Sequence, residues 1–168
     1  MKSELLALLS VKTDGNFILE RSKNNQEAIR NLKYITRDVP DKDGIYFVLT
    51  PLIKNRIVEE HLIYEVNEEI YEFIYFGIAG GLTSNGKERV QKLRGRINNV
   101  VGSNSIRRAI KWNETMIKYN FSSFKVLYYF LPQPKEIEDK IYDYLKRENL
   151  KFPLLNLKRG RPNGSAIL

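Results

Sequence analysis

The stretch Gly44-Ile45-Tyr46-Phe47-Val48-Leu49 and its echo Phe73-Ile74-Tyr75-Phe76-Gly77 decide the reading of this chain. Each is a short β-branched and aromatic run, and such runs read as buried strands. Each also sets a glycine close to a tyrosine. A glycine at a strand end marks a sharp bend, or a place where another group approaches the backbone closely. Two strand-end tyrosines beside such glycines can bring two phenols to one spot. The same pattern equally describes two core strands with amphipathic tyrosines at their rims.

Moving outward, Pro51 breaks the first run. His61-Leu62-Ile63-Tyr64-Glu65-Val66, the polar turn Asn67-Glu68-Glu69 and the run from Tyr71 to Gly77 then read as a β-hairpin. Phe124 to Phe130 is the third convincing strand, and the prolines at 132 and 134 end it and open a helix from Lys135 to about Asn149. Between the second and third strands, Ser84-Asn85 offers an N-cap to a basic helix. Its apolar face is Val90, Leu93, Ile97 and Val101, with Lys87, Arg89, Lys92, Arg94 and Arg96 around it. Ser105 caps a second basic helix carrying Arg107, Arg108 and Lys111. Upstream lie a short helix over 2–10, a small strand at Phe17-Ile18-Leu19, and a helix from Asn24 to about Arg37 with Ala28, Ile29, Leu32 and Ile35 at helical spacing. The end of the chain, with Lys158, Arg159 and Arg161, is an extended basic tail. The expected class is α+β: a small, mostly antiparallel three-stranded sheet flanked by helices, with a hairpin extension. Residues 1–40 form a helical leader packed on a domain of residues 41–168.

Composition narrows the function. The chain has 168 residues and an apolar fraction of 42%, enough for one packed domain. It has no cysteine, which excludes disulfides and thiolate metal sites and suits a cytoplasmic location. His61 is the single histidine, so a multi-histidine metal site is excluded. It reads as a solvated or edge residue. No apolar run approaches membrane-spanning length. Twenty-eight basic residues against 20 acidic give a net charge of +8, which favours a polyanionic partner, nucleic acid first.

Together, Gly44-Ile45-Tyr46 and Tyr75-Phe76-Gly77 resemble the pair of tripeptides that names the GIY-YIG nuclease superfamily, with Phe in place of the second Ile. Gln91-Lys92-Leu93-Arg94-Gly95-Arg96-Ile97 resembles the family's arginine-bearing helix. Ser105-Ile106-Arg107-Arg108-Ala109-Ile110 resembles a segment of one bacterial branch. Glu138-Asp139-Lys140-Ile141-Tyr142 and Pro153-Leu154-Leu155-Asn156 resemble the family's metal-binding Glu and its closing Pro-x-x-Asn. The resemblance runs in order from Gly44 to Asn156. It implies a GIY-YIG-like fold and a metal-dependent DNA endonuclease. One Mg²⁺ or Mn²⁺ would sit on Glu138, with Arg96 at the scissile phosphate and Tyr46 and Tyr75 by the attacking water. Gly44, Gly77 and Asn156 would support the site. Double-stranded DNA would lie on Lys87, Arg89, Lys92, Arg94, Arg107, Arg108, Lys111, Lys158, Arg159 and Arg161, and the protein would be a monomer or homodimer.

These roles suit the chemistry of the side chains. One carboxylate with several waters holds Mg²⁺ adequately. A guanidinium fork matches a phosphate. A phenol has a pKa near 10 and needs nearby cations to act as a base at neutral pH. On a helix from Lys135, Glu138 falls about 75° from the centre of the apolar stripe and Glu136 about 125° away on the opposite flank, so Glu138 is the carboxylate placed to border a cleft. Three features depart from the family. The tyrosines are separated by residues 47–74, 28 in all, a longer hairpin than relatives carry, so an extra stretch from about Pro51 to Glu60 is expected to loop out. Val100 stands where many relatives have His or Tyr, and Ile78 where some have Lys. The competing functional classes are a catalytically weak or silent nucleic-acid-binding module on the same fold, and an RNA-binding or ribosome-associated basic protein.

Overall fold

The computed structural model describes Ala7, residues 12–98 and residues 107–156. Five strands form one antiparallel sheet: β1 (Gly15–Glu20), β2 (Gly44–Pro51), β3 (Ile63–Val66), β4 (Glu69–Ala79) and β5 (Ser123–Phe130), in the order β1-β5-β2-β4-β3. The described residues hold four α-helices: α1 (Asn25–Ile35), α2 (Leu93–Asn98), α3 (Arg108–Tyr119) and α4 (Pro134–Arg147). The class is mixed α+β. None of these helices is long and apolar enough to cross a membrane.

The sheet therefore has five strands, not the expected three. Its centre, β5-β2-β4, is the set that the apolar runs announce. The leader contributes β1, in which Phe17 and Leu19 turn inward while Ile18 faces out, so alternation rather than a continuous run marks an edge strand. The hairpin contributes β3, which pairs with residues 69–72 of β4 on the edge opposite β2. Asn67 and Glu68 both take positive φ, 50° and 67°, as a two-residue hairpin turn requires. His61 lies in a single 3₁₀ turn, Glu60–Leu62, ahead of β3 rather than within a strand, and its Nε2 lies 2.8 Å from the Lys151 carbonyl.

β2 lies in the middle of the sheet, and every residue from Gly44 to Thr50 is buried. Its alternate side chains feed two cores. Tyr46 and Val48 pack with Ile74, Phe124 and Val126 beneath Leu32 of α1, Leu93 and Ile97 of α2, and Ala109, Trp112 and Met116 of α3. Ile45, Phe47 and Leu49 pack with Phe73, Phe76 and Ile78 beneath Ile141, Tyr142 and Leu145 of α4. Asn24 caps α1, its side chain accepting from the Glu27 amide at 2.9 Å. The expected helix over 2–10 lies outside the described residues except Ala7.

Two loops depart from expectation. The expected helix starting near Lys87 is instead a tight hairpin over residues 80–91. The Gly80 amide donates to the Gln91 carbonyl at 2.7 Å, Arg89 donates to Gly81 at 2.9 Å, and Thr83 and Lys87 are paired at 2.7 Å. Gly80 has φ of +69°, and a Cβ there would lie 1.8 Å from Asp43 Oδ1. Backbone pairing thus consumes the groups a helix would need, and α2 starts only at Leu93, leaving Val90 exposed. The second loop, residues 52–59, folds back rather than looping out. Arg56 grips Glu72 of β4 through two hydrogen bonds of 2.7 and 2.9 Å, and its guanidinium lies over the rings of Tyr119 and Phe121.

Candidate active site

Tyr46 and Tyr75 are brought together by strand register. Tyr46 pairs with Gly77, and Val48 with Tyr75, so both phenols project from the same face of the sheet. Their ring centroids are 5.8 Å apart. Gly77 makes the room: a Cβ on it would lie 2.8 Å from the Tyr46 hydroxyl and 2.9 Å from Tyr75 Cε1. Gly44 plays the corresponding part for packing. A Cβ there would lie 2.1 Å from the Tyr129 carbonyl oxygen and 2.8 Å from Leu93 Cδ1, so its absence lets α2 descend onto β2.

Asn156 fastens the same strand from the other side. Its side-chain oxygen accepts from the Phe76 amide at 2.9 Å, and its nitrogen donates to the Phe76 carbonyl at 2.9 Å and to the Tyr142 hydroxyl at 3.1 Å. A buried side-chain amide here does the work of a sixth strand's backbone, satisfying the groups flanking the second glycine.

A cleft of about 380 Å³ opens at this end of the sheet, lined by Ile78, Arg89, Val90, Gln91, Arg96 and Glu138. The sheet end, the 80–91 hairpin, α2 and α4 each contribute a wall. Arg96 spans two neighbourhoods. It lines the cleft with Glu138, and its charge also acts on Tyr46. Its Nε is buried and has no hydrogen-bond partner among the described residues. Glu138 is largely shielded, while Glu136 is exposed at the helix start, as the helical geometry indicates. Lys135 Nζ approaches Glu138 at 3.7 Å and also pairs with Asp139, so it keeps a partner if a cation takes Glu138. Among the described residues there is no cluster of three or more His, Cys, Asp or Glu. The cleft offers one carboxylate, Glu138, so a hard ion such as Mg²⁺ or Mn²⁺ held there would keep most of its ligands as water.

The basic residues divide. Lys87, Arg107 and Lys111 are exposed. Arg89 donates to the Leu82 carbonyl at 2.6 Å and lines the cleft. Lys92 pairs with Asp43 at 2.7 Å, and Arg94 donates to the Val39 carbonyl at 2.9 Å. Lys158, Arg159 and Arg161, and also Val100, lie outside the described residues. Arg108 turns inward, which its grouping with the surface basic residues did not anticipate. Its Nη1 donates to the Tyr46 hydroxyl at 2.8 Å, and its guanidinium lies 5.6 to 5.7 Å from the centroids of Tyr46, Tyr75 and Trp112. Positions 108, 112 and 116 are spaced by four, so Arg108 shares the buried stripe of α3. That spacing is the signal that finds it.

Comparison with protein-family models, with curated proteins and with solved structures finds no match. The electrostatics carry one surprise. Burial pushes the Tyr46 phenol well above its ordinary pKa, and Arg108 and Arg96 only partly offset this; the Tyr75 charge and hydrogen bond push it further up. The cations beside Tyr46 do not make it a base at neutral pH. The buried hydroxyl stays protonated.

Proposed function

We propose that this chain is a GIY-YIG-type, divalent-metal-dependent endonuclease that hydrolyses phosphodiester bonds in DNA. The observation that carries the reading is the convergence on one cleft. Arg96 and Glu138 line it together, and the charge of Arg96 also reaches Tyr46, which lies outside the lining and packs on Tyr75 where Gly77 makes room. An arginine whose Nε has no hydrogen-bond partner among the described residues suits a phosphate, whose charge grows at its equatorial oxygens during displacement. Glu138 would hold the ion, which supplies a polarised phosphoryl oxygen and a more acidic water. Arg96 would position the scissile phosphate, and exposed Lys87, Arg107 and Lys111 would carry flanking phosphates of the duplex.

A second reading, a catalytically weak or silent nucleic-acid-binding module, draws support from Tyr46 itself. A fully enclosed, protonated phenol takes no proton from water at neutral pH. Supercoiled plasmid incubated with Mg²⁺, with Mn²⁺ and with chelator separates the two. The nuclease reading expects nicked or linear product with either metal and none with chelator. Binding without conversion in all three would favour the silent module.

A further inference from the structure

We propose that Arg108 and Tyr46 form a buried positioning pair and that Tyr75, not Tyr46, is the phenol that touches the substrate. This rests on the nuclease reading and deepens it. Arginine has no acceptor, so in the 2.8 Å contact Arg108 donates and Tyr46 accepts. The Tyr46 hydrogen must then point elsewhere. Tyr75 is the neighbouring phenol, its ring centroid 5.8 Å from that of Tyr46, and Arg108 acts on both by charge and hydrogen bonding. The guanidinium thus holds the enclosed Tyr46 from within and leaves Tyr75 as the phenol nearer the surface. Burial agrees: Tyr46 is 0% exposed, whereas Tyr75 is only partly covered.

The charged and titratable groups around Tyr46 come from every element packed on it. They are Arg108 of α3, Arg96 of α2, Tyr75 of β4 and Tyr128, its register partner in β5. No carboxylate is among them, and residues 99–106, which precede α3, contain no acid. Among the described residues Arg108 thus has no acidic partner that would make it an ordinary structural ion pair. Its charge is spent on the two phenols and Trp112.

Two measurements test the assignment. The first is nitration of the whole protein by tetranitromethane, mapped by peptide mass spectrometry. Tyr75 should be modified well before Tyr46, and Arg108→Met should open Tyr46 to the reagent. Tyr46 modified as fast as Tyr75 in the wild type would overturn the proposal, whether or not the protein cleaves DNA. The second is single-turnover cleavage. Tyr75→Phe should lose about 10²-fold, while Tyr46→Phe and Arg108→Met each lose about tenfold, the usual value of an outer partner. The Tyr46→Phe/Arg108→Met double variant should lose no more than either alone, and Arg108→Lys should recover part of the rate. Full additivity, or a dead Tyr46→Phe beside an active Tyr75→Phe, would contradict it. If the wild type fails to cleave at all, the nuclease reading falls, and nitration alone judges the buried pair.

Discussion

Arg56 and Arg108 are both inward-turned arginines lying over aromatic rings, yet they sit in opposite kinds of surroundings. Arg56 meets the buried Glu72 through two parallel hydrogen bonds and fastens the 52–59 loop to β4. Its positive charge is matched. Arg108 meets two phenols and an indole, its Nε has no hydrogen-bond partner, and no carboxylate faces it among the described residues. A matched arginine holds a fold together. An arginine unmatched by acid leaves its positive charge to act on the phenols around it, as an anion-binding role would use it.

Breaking the matched pair should have the largest effect on stability and little on chemistry. Arg56→Ala strands Glu72 as a buried, unpaired carboxylate, and such losses cost about 3–5 kcal/mol. In a chain of this size each kcal/mol lowers Tm by roughly 2–4 °C. Thermal unfolding checks this. Cleavage measured well below Tm should stay near normal.

Removing a cleft arginine should do the reverse. Arg96→Ala should lower the single-turnover rate by about 10²–10³-fold, the worth of one transition-state donor, with Tm nearly unchanged and duplex binding weakened only slightly. Equal loss of binding and rate would show that Arg96 merely tethers DNA. Arg94→Ala is the control, since its guanidinium is occupied by the Val39 carbonyl.

Asn156 sharpens the contrast, because it supports the site through backbone alone. Asn156→Ala leaves buried backbone groups of Phe76 without partners, costing about 1–3 kcal/mol. The rate should fall with the loss of order at Gly77, and lower temperature should restore part of it.

The smallest effect is alkaline. Tyr71 is pushed up to about 12 by burial, then by the hydrogen bond it donates to Glu69 and by that charge. Its unfolded phenol ionises near 10. The folded state therefore favours the proton, and this contribution is intact below pH 10 and lost as pH rises toward about 12. Denaturant titrations across that window should show the decline, and Tyr71→Phe should flatten it.

Much of this was legible beforehand. Continuous apolar runs announced β2, β4 and β5, and the paired tripeptides announced which residues would meet. Glu138 was separable from Glu136 by helical angle alone. The misses share a cause. The 80–91 hairpin and the inward turn of Arg108 depend on long-range partners, Asp43 for the first and Tyr46 for the second. Charge patterning reads a basic row as solvated unless something tells which residue finds a buried acceptor. The loop before β3 was read as looped out because nothing in the sequence ties Arg56 to its anchor, Glu72 of β4. Burial of Glu72 is decided by Arg56, 16 residues earlier.

The central claim is that the cleft holding Arg96 and Glu138 cuts DNA with a metal. The most direct test is single-turnover cleavage of a labelled duplex in Mn²⁺ by Glu138→Gln and Glu136→Gln, with Mn²⁺ affinity measured in parallel. Glu138→Gln keeps the shape and removes the charge. It should lose both cleavage and metal affinity while Tm in chelator is unchanged or raised, and Glu136→Gln should stay within a few-fold of wild type. Near-normal cleavage by Glu138→Gln, or a dead Glu136→Gln, would contradict the account.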